Sequence, residues 1–290
     1  MAKFRLYIQL ISAVFSNGFL KGFKLGSVYS GGTKGYCIPV MQCSSCPGSL
    51  FSCPIGMLQQ NLANKNAAWY ILGFIALSGA LLGRLICGFL CPFGLIQDLI
   101  FKIPFVKKVK ELKGEKYLRK IKIVMFWGFV IILPIIVLDE FGFGKSWFCA
   151  YVCPVGTLEA GIPLYIVNEG LRSAIGFIFA FKFVILIALV VLSLIIWRPF
   201  CRYLCPLGYV YGRCNRISVF QYKVDKDKCI NCGKCQKVCK MNIDIRKDAA
   251  SPDCIRCGEC KLNCPVSAIS SSFSLKTDSK FVEKETNTQL

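Results

Sequence analysis

Apolar residues in this chain gather in four long runs instead of alternating with polar ones. The runs cover residues 4–20, 67–86, 123–138 and 173–197. A helix needs about 20 apolar residues to cross the hydrocarbon core of a bilayer, and Pro134 is tolerated in a membrane helix. The first run is the weakest, because it is short and contains Gln9 and Asn17. The pattern predicts an all-α polytopic membrane domain over residues 1–218, with about four transmembrane helices.

Basic residues are spread unevenly over the connections between these runs. Nine of them lie between Phe101 and Lys122, whereas acids outnumber bases between Asp139 and Arg172. Cytoplasmic loops are enriched in lysine and arginine, and the chain is basic again after Trp197. We therefore expect a multi-pass protein of the cytoplasmic membrane, with its C-terminal part facing the cytoplasm. This topology is unchanged if residues 4–20 are a cleaved signal peptide rather than a retained span.

The part that follows the last apolar run carries eight cysteines in two copies of one spacing. The first copy is Cys229, Cys232, Cys235 and Cys239, and the second is Cys254, Cys257, Cys260 and Cys264. Bacterial two-cluster ferredoxins have this spacing, and the fourth cysteine of each run serves the other cluster. The spacing predicts one [4Fe–4S] cluster on Cys229, Cys232, Cys235 and Cys264, and a second on Cys254, Cys257, Cys260 and Cys239.

These runs define a small α+β ferredoxin-like domain over residues 219–272, followed by a polar tail over residues 273–290. Cluster binding is expected to supply much of the folding free energy of so short a domain. Structural zinc and disulfides are the alternatives. Two tandem runs of this kind fit the spacing of zinc sites poorly, and a disulfide framework is typical of small secreted proteins.

Composition narrows the chemistry further. The chain is 54% hydrophobic and has a mean hydropathy of +0.53, which is high for a soluble domain. It contains no histidine, so we expect no bis-histidine haem, no c-type haem attachment and no Rieske cluster. The formal charge of +20 does not indicate nucleic-acid binding, because the basic residues crowd beside the apolar runs.

A second cysteine motif recurs within the apolar part. The phrase Cys-Pro-x-Gly begins at Cys53, Cys91, Cys153 and Cys205, and a polar residue usually follows three positions after its glycine. A further cysteine precedes the last three copies by four residues, at Cys87, Cys149 and Cys201, whereas the first copy has Cys43 and Cys46 instead, with Cys37 as a further candidate. Proline suits the first position of a helix, so each motif cysteine is expected at a helix N-terminus, where the helix dipole favours thiolate.

The predicted topology sorts these cysteines into two further sets. Cys87, Cys91, Cys201 and Cys205 are expected on the cytoplasmic side, and Cys43, Cys46, Cys53, Cys149 and Cys153 on the outer side. Four thiolates are enough for one cluster, so we expect one or two further iron–sulfur clusters. Thiol–disulfide chemistry is the alternative on the outer side, and simple packing of buried cysteines is another.

Together these motifs resemble the NapH/NosR-type membrane ferredoxins, often described as quinol dehydrogenase membrane components. The likeness rests on the apolar runs, the Cys-x3-Cys-Pro copies at Cys87/Cys91 and Cys201/Cys205, and the paired C-terminal runs. The resemblance implies oxidation of a quinol and electron delivery to a redox partner, such as an outer-face or periplasmic iron–sulfur protein or cytochrome. The chain departs from that pattern where Lys240, not proline, follows Cys239.

The function expected from the sequence is a membrane-bound iron–sulfur relay between the quinone pool and a respiratory reductase or other redox partner. Membrane lipid and quinone are the expected small partners, and nucleic acid is not. Two alternatives stay open. One is an assembly factor that reduces metal or thiol groups of a partner enzyme, as the related copper-reducing CcoG proteins do. The other is a subunit that accepts electrons from a cytoplasmic ferredoxin.

Overall fold

A computed structural model describes residues 2–104, 107–112, 114–170 and 176–273. The tail predicted for residues 273–290 lies outside these ranges, except for Phe273. The α-helices are Ala2–Ser16, Leu20–Leu25, Pro54–Ala63, Trp69–Leu82, Leu85–Phe89, Pro92–Lys102, Glu115–Leu118, Ile121–Val124, Leu133–Ile136, Pro154–Gly156, Ile162–Val167, Phe177–Ile195, Pro206–Cys214, Lys234–Val238 and Glu259–Leu262. The π-helical turns are Met125–Ile132, Phe148–Val152, Thr157–Gly161 and Phe200–Leu204, and Gly32–Gly35 is a 3₁₀ turn.

The prediction of about four transmembrane helices is wrong. Within the described residues, only Phe177–Ile195 is long and apolar enough to cross a membrane, with 19 residues and a mean hydropathy of 3.0. The first run yields a helix of 15 residues, and the second one of 14. At 1.5 Å per residue the second helix is about 21 Å long, short of the roughly 30 Å hydrocarbon core.

Local breaks explain why the apolar runs are longer than their helices. Trp69–Leu82 ends at Gly83, whose φ of +55° is unfavourable for residues with a side chain. The third run is divided into short α and π segments and leaves the helical conformation at Val137. The sidedness expected from loop charge depended on four crossings, so it does not carry over to this fold.

The four Cys-Pro-x-Gly motifs do begin helices. Each motif cysteine has extended backbone and is followed by proline in the first helical turn, at Pro54, Pro92, Pro154 and Pro206. Proline fits there because its missing N–H would be unpaired in any case. Seven of the cysteines join one buried core with Ile55, Ile86, Phe148 and Phe200; they are Cys37, Cys53, Cys87, Cys91, Cys153, Cys201 and Cys205.

The C-terminal part contains a two-stranded antiparallel sheet. Strand β1 (Phe220–Val224) pairs with strand β2 (Ile269–Phe273), with Phe220 opposite Phe273 and Val224 opposite Ile269. A small core of Tyr222, Ile245 and Ile269 lies beneath it together with Cys235. This core has few apolar residues, so their burial contributes little free energy to folding. We therefore expect ligands bound by the loops between the strands to add stability.

The C-terminal part packs closely on the helices that precede it. Trp197, Met241 and Ile255 form a buried apolar cluster between the two parts. Asn215 donates hydrogen bonds to the carbonyl oxygens of Ser251 and Cys254, both at 2.9 Å. These contacts fix the loop that carries the second cysteine run against the helices that carry the Cys-Pro-x-Gly motifs.

Candidate iron–sulfur sites

The structure gathers the cysteines into four groups, which we call sites A to D. Site A comprises Cys229, Cys232, Cys235 and Cys264. All four line one cavity, together with Arg246 and Pro265. Cys232 is exposed and Cys235 is buried, so site A lies at the surface of the C-terminal part.

Site B comprises Cys239, Cys254, Cys257 and Cys260. Burial raises the pKa of the Cys260 thiol to about 12, and the charges of the other three cysteines raise it as well. Burial likewise raises the pKa of Cys254 to about 12, with Cys257 and Cys239 adding to the effect. The four thiols therefore lie near one another, in the combination that the crossed ferredoxin pattern predicts.

Sites A and B are related by an internal symmetry of the backbone. The residues with positive φ fall in matching pairs: Asn231 with Arg256, Gly233 with Gly258, and Asn242 with Ser267. Each pair has the same position relative to its cysteine run. Left-handed residues turn the chain sharply, so the two cysteine runs follow the same sequence of turns. Equivalent N–H groups also approach sulfur, from Ile243 to Cys239 at 3.4 Å and from Ala268 to Cys264 at 3.3 Å.

Site C comprises Cys87, Cys91, Cys201 and Cys205. These thiols line a second cavity, together with Met41 and Phe200. The Cys205 sulfur accepts a hydrogen bond from the Gly208 N–H at 3.2 Å. The glycine of the motif thus presents a main-chain donor to the cysteine that begins its helix.

Two fully buried arginines flank site C. Arg84 donates to the carbonyl oxygen of Cys201 at 2.9 Å, and Arg198 donates to that of Cys87 at 2.6 Å. Burial raises the pKa of the Cys87 thiol, and the Arg84 charge opposes this rise. Positive charge beside a thiol favours the thiolate that binds iron. Sequence reasoning missed both residues, although Arg84 interrupts an apolar run.

Site D comprises Cys43, Cys53, Cys149 and Cys153. Burial raises the pKa of Cys149 well above its usual range, and the charges of the other three cysteines raise it further. A Cβ at Gly56 would lie 3.8 Å from the Cys149 sulfur, and one at Gly156 would lie 3.6 Å from the Cys43 sulfur. The first and third motifs therefore face each other across this site.

Cys46, the fifth cysteine expected in this set, lies close enough to Cys43 for its charge to raise the pKa of that thiol. Its sulfur, however, lies 3.6 Å from Oδ1 of Asn17. The Cys37 sulfur lies 3.2 Å from that of Met57. Lys182 and Glu159 complete the surroundings of site D: Lys182 donates to the carbonyl oxygen of Cys149 at 3.1 Å, and Glu159 accepts the Cys43 N–H at 2.8 Å.

The arrangement of the thiols of sites A and C around cavities fits cubane clusters better than single metal ions. In the described ranges, no three cysteine, histidine or acidic side chains are close enough to hold one metal ion. Tetrahedral zinc would require four sulfurs about 2.3 Å from a common centre. A cubane takes each thiolate on a different iron, so its ligands surround a cavity, as those of sites A and C do. No two of the nineteen cysteines, all of which lie in the described ranges, form a disulfide.

The four sites follow one another in series. The carbonyl oxygen of Ile255, next to Cys254 of site B, lies against Gly88, which follows Cys87 of site C. Arg84 bridges the same gap, because it also donates to the carbonyl oxygen of Pro252 at 2.9 Å. Met41 joins the other pair: it lines the cavity of site C, and its sulfur lies 4.0 Å from that of Cys53 in site D. The order is therefore A, B, C, D.

Comparison with known protein families agrees with this chemistry. A family model described as a 4Fe-4S binding domain matches residues 66–112, 123–162 and 178–221. These segments contain Cys87 and Cys91, Cys149 and Cys153, and Cys201 and Cys205. A second model, also described as a 4Fe-4S binding domain, matches residues 222–243.

The chain is also similar to several individual proteins. An uncharacterized protein of Methanocaldococcus jannaschii is 30% identical over 212 residues, which are 72% of this chain and 70% of that protein. The putative electron transport protein YccM of Escherichia coli is 26% identical over 61% of this chain and 46% of its own length. The ferredoxin-type protein NapH of Haemophilus influenzae is 26% identical over 57% of this chain and 50% of its own length. No solved structure matches the chain.

Proposed function

Because the chain belongs to the NapH-type family of 4Fe–4S ferredoxin proteins, we propose that it relays electrons between membrane quinone and a redox partner protein. Its iron–sulfur cofactors and its electron-transfer role follow from the family. The membrane location, the quinone and the path are our proposal. The serial arrangement of sites A, B, C and D supports it, since sites A and B each take their fourth cysteine from the other's run, Ile255 and Gly88 join sites B and C, and Met41 joins sites C and D.

In this proposal each site holds one [4Fe–4S] cluster on its four cysteines. Cys46, which faces Asn17, is left out of site D. Residues 219–272 form the ferredoxin-like domain with sites A and B, and residues 1–218 form the helical part with sites C and D. A bound [4Fe–4S] cluster supplies one-electron transfer at a potential set by charge, hydrogen bonds to sulfur and solvent exposure.

The protein's own residues set those conditions. Motif cysteines of site C are buried, which excludes water from the site, and the guanidinium groups of Arg84 and Arg198 lie beside it. Lys182 places one positive charge by site D, where Glu159 also lies. Asp98 and Asp253 pair with the two arginines of site C, so the charge beside each site is partly compensated, and charge near a cluster is one of the factors that set its potential.

Attachment to the membrane is assigned to the Phe177–Ile195 helix. Only 17% of its most apolar window is buried within the protein, and Phe177, Val184 and Val191 are exposed. A core helix of a soluble protein would bury these residues. Lys182 ties the same helix to site D, so we expect quinone to exchange electrons at site D.

The opposite end of the series suits a water-soluble partner. Site A has an exposed cysteine, Cys232, and an exposed apolar neighbour, Ile230. Lys228 and Lys234 flank these residues in the sequence. Exposure lets a docking protein approach the cluster closely, which favours exchange of electrons with a redox partner here.

Anaerobic purification of the whole chain from membranes tests this function. We expect iron and acid-labile sulfide equal to four cubanes, and oxidation of a quinol analogue when a soluble dye accepts the electrons. Iron for only two cubanes would overturn the assignment of sites C and D. Four intact cubanes without quinol turnover would contradict the quinone relay and favour a role in maturing a partner enzyme.

A further inference from the structure

Two buried glutamines form the same hydrogen bonds at sites C and D. Oε1 of Gln59 accepts the N–H of Phe148 at 2.9 Å, while its Nε2 donates to the sulfur of Cys149 at 3.3 Å. Oε1 of Gln97 accepts the N–H of Phe200 at 3.2 Å, while its Nε2 donates to the sulfur of Cys201 at 3.3 Å. Both amides are almost completely buried, with 0% and 2% of the residue exposed.

These glutamines occupy equivalent positions in the repeat. Each lies six residues after the cysteine that begins its motif, Cys53 for Gln59 and Cys91 for Gln97. Each donates to the cysteine that lies four residues before another motif, Cys149 for Gln59 and Cys201 for Gln97. The first motif is therefore hydrogen-bonded to the third, and the second to the fourth. Glu159, at the same position of the third motif, reaches back to the N–H of Cys43. Tyr211, in the fourth, is hydrogen-bonded to Ser78 instead.

The main-chain contact fixes which end of each amide faces sulfur. A main-chain N–H can only donate, so it must meet the amide oxygen of the glutamine. The amide nitrogen of that glutamine is then directed at the sulfur. A buried amide needs partners for both ends, and each glutamine finds them in two consecutive residues; Nε2 of Gln97 also donates to the carbonyl oxygen of Phe93 at 3.4 Å. Both glutamines therefore hold a cysteine and its preceding residue as one unit.

We propose that Gln59 and Gln97 are paired positioning residues, each fixing one cysteine of sites D and C and raising the reduction potential there through an N–H···S hydrogen bond. This inference rests on the cluster sites of the proposed function. A hydrogen bond to an ionised acceptor is about twice as strong as one between neutral groups, and added negative charge on a reduced cluster strengthens it further. Hydrogen bonds to sulfur are one of the factors that set cluster potentials.

The substitutions Gln59→Glu and Gln97→Glu test the role at each site. Glutamate keeps the acceptor for the Phe148 or Phe200 N–H but removes the donor to sulfur. The control is Gln60→Glu, which adds the same charge at an exposed position of the Gln59 helix. Each variant of the whole chain is purified without oxygen, its iron is counted, and its clusters are titrated by potentiometric EPR spectroscopy.

We expect each test variant to lower the potential of one cluster and to leave the other three unchanged. The clusters affected by Gln59→Glu and Gln97→Glu must differ, and the control must shift none. A tenfold fall in the reduced-to-oxidised ratio at fixed ambient potential corresponds to about 59 mV for a one-electron couple. Unshifted potentials, or the same shift in the control, would overturn the inference.

A neutral variant is needed in case the buried charge of glutamate causes a cluster to be lost. Gln97→Met has a similar length and no donor, and we expect it to retain its clusters with one potential lowered. Selective loss of one cubane in either Gln97 variant supports the positioning role, whereas loss spread over all four sites contradicts it. The iron content of the wild-type protein tests the proposed function separately. Iron for two cubanes would refute sites C and D themselves. Iron for four cubanes, with unchanged cluster potentials in the variants, would refute only the role of the glutamines.

Discussion

The carbonyl oxygen of Ile255 lies so close to Gly88 that a Cβ atom at position 88 would stand 2.6 Å from it. Real Cβ atoms do not approach a backbone oxygen this closely, so the contact requires glycine. Ile255 follows a cysteine of site B, and Gly88 follows a cysteine of site C. The spacing between these two sites is therefore set by direct contact of two backbones.

The first prediction concerns this contact. Gly88→Ala is expected to push the loop around Ile255 away, because a backbone carbonyl cannot yield as a flexible side chain can. Overpacking of this kind costs about 1–3 kcal/mol, and electron transfer between sites B and C should slow. Freeze-quench EPR of the stepwise reduction measures the rate, and the temperature of cluster loss measures the stability.

The matched control for that variant is Gly73→Ala. Gly73 lies in the Trp69–Leu82 helix, and a Cβ there would meet nothing within 4 Å. We expect normal transfer and unchanged or slightly higher stability, since alanine is the better helix former. Equal behaviour of the two alanine variants would show that the Gly88 contact does not control the spacing.

A second prediction concerns the buried ion pair behind site C. Asp98 binds Arg198 through both oxygens, at 2.8 and 2.7 Å, and Arg5 at 2.9 Å. Burial raises the pKa of Asp98, but the positive charges of Arg198 and Arg5 outweigh it and lower the pKa overall. Asp98→Asn leaves the Arg198 charge without its partner, which is expected to cost about 3–5 kcal/mol.

Denaturation of the holoprotein in guanidinium, followed by visible cluster absorbance, measures that loss. Asp227→Asn, at an exposed carboxylate, serves as the control and should change stability by no more than about 0.5 kcal/mol. A similar midpoint for both variants would mean that the Asp98 ion pair does not hold site C together.

Local spacing let the sequence predict more of the cysteine chemistry than of the fold. The short gaps around Cys229 and Cys254 limit which thiols can meet, and the repeat at Cys91 and Cys205 predicts which motifs do. That these groups ligate iron stays a prediction. The sequence does not indicate that Cys43 rather than Cys46 belongs to site D, because both lie in one loop and only distant contacts, such as that of Asn17, distinguish them.

The error about membrane spans has a physical origin too. Length of an apolar run does not show where its helix ends, and Gly83 ends one of them at a left-handed residue. Arg84 then turns inward to hydrogen-bond partners more than 100 positions away. Pairings over such distances, like that of Asp98 with Arg198, leave no periodic signal in the sequence.

A third prediction concerns the individual thiols. Cys235→Ser, Cys260→Ser, Cys87→Ser and Cys153→Ser, one for each site, should each lower the iron content by one cubane or convert one cluster to a three-iron form. Cys46→Ser and Cys214→Ser should keep the wild-type content, because neither sulfur belongs to a site. Iron loss in the Cys46 variant would place Cys46 among the ligands of site D.

A fourth prediction concerns the Phe177–Ile195 helix. Val184 is near its middle and is 64% exposed. An aspartate at the centre of a membrane helix costs about 2.5–3.5 kcal/mol for insertion, so Val184→Asp should weaken retention in the membrane fraction after a carbonate wash. Val184→Leu preserves the apolar surface and should be retained fully. Equal retention of both variants would exclude this helix as the attachment.

The last prediction tests whether electrons pass through the four sites in series or reach each site independently. If electrons must pass through site C, removing its cluster by Cys87→Ser disconnects site D from sites A and B. A quinol analogue should then reduce the site D cluster and leave those of sites A and B oxidised, while dithionite, a small soluble reductant, still reduces all remaining clusters. EPR spectra recorded after each addition distinguish the two patterns.

The control for this experiment is Cys214→Ser, because Cys214 is half-buried near Gly79 and outside all four sites. All the clusters of this variant should be reduced by quinol. Reduction of sites A and B by quinol in the Cys87 variant would refute the order A, B, C, D, since electrons would then reach the ferredoxin-like part without site C.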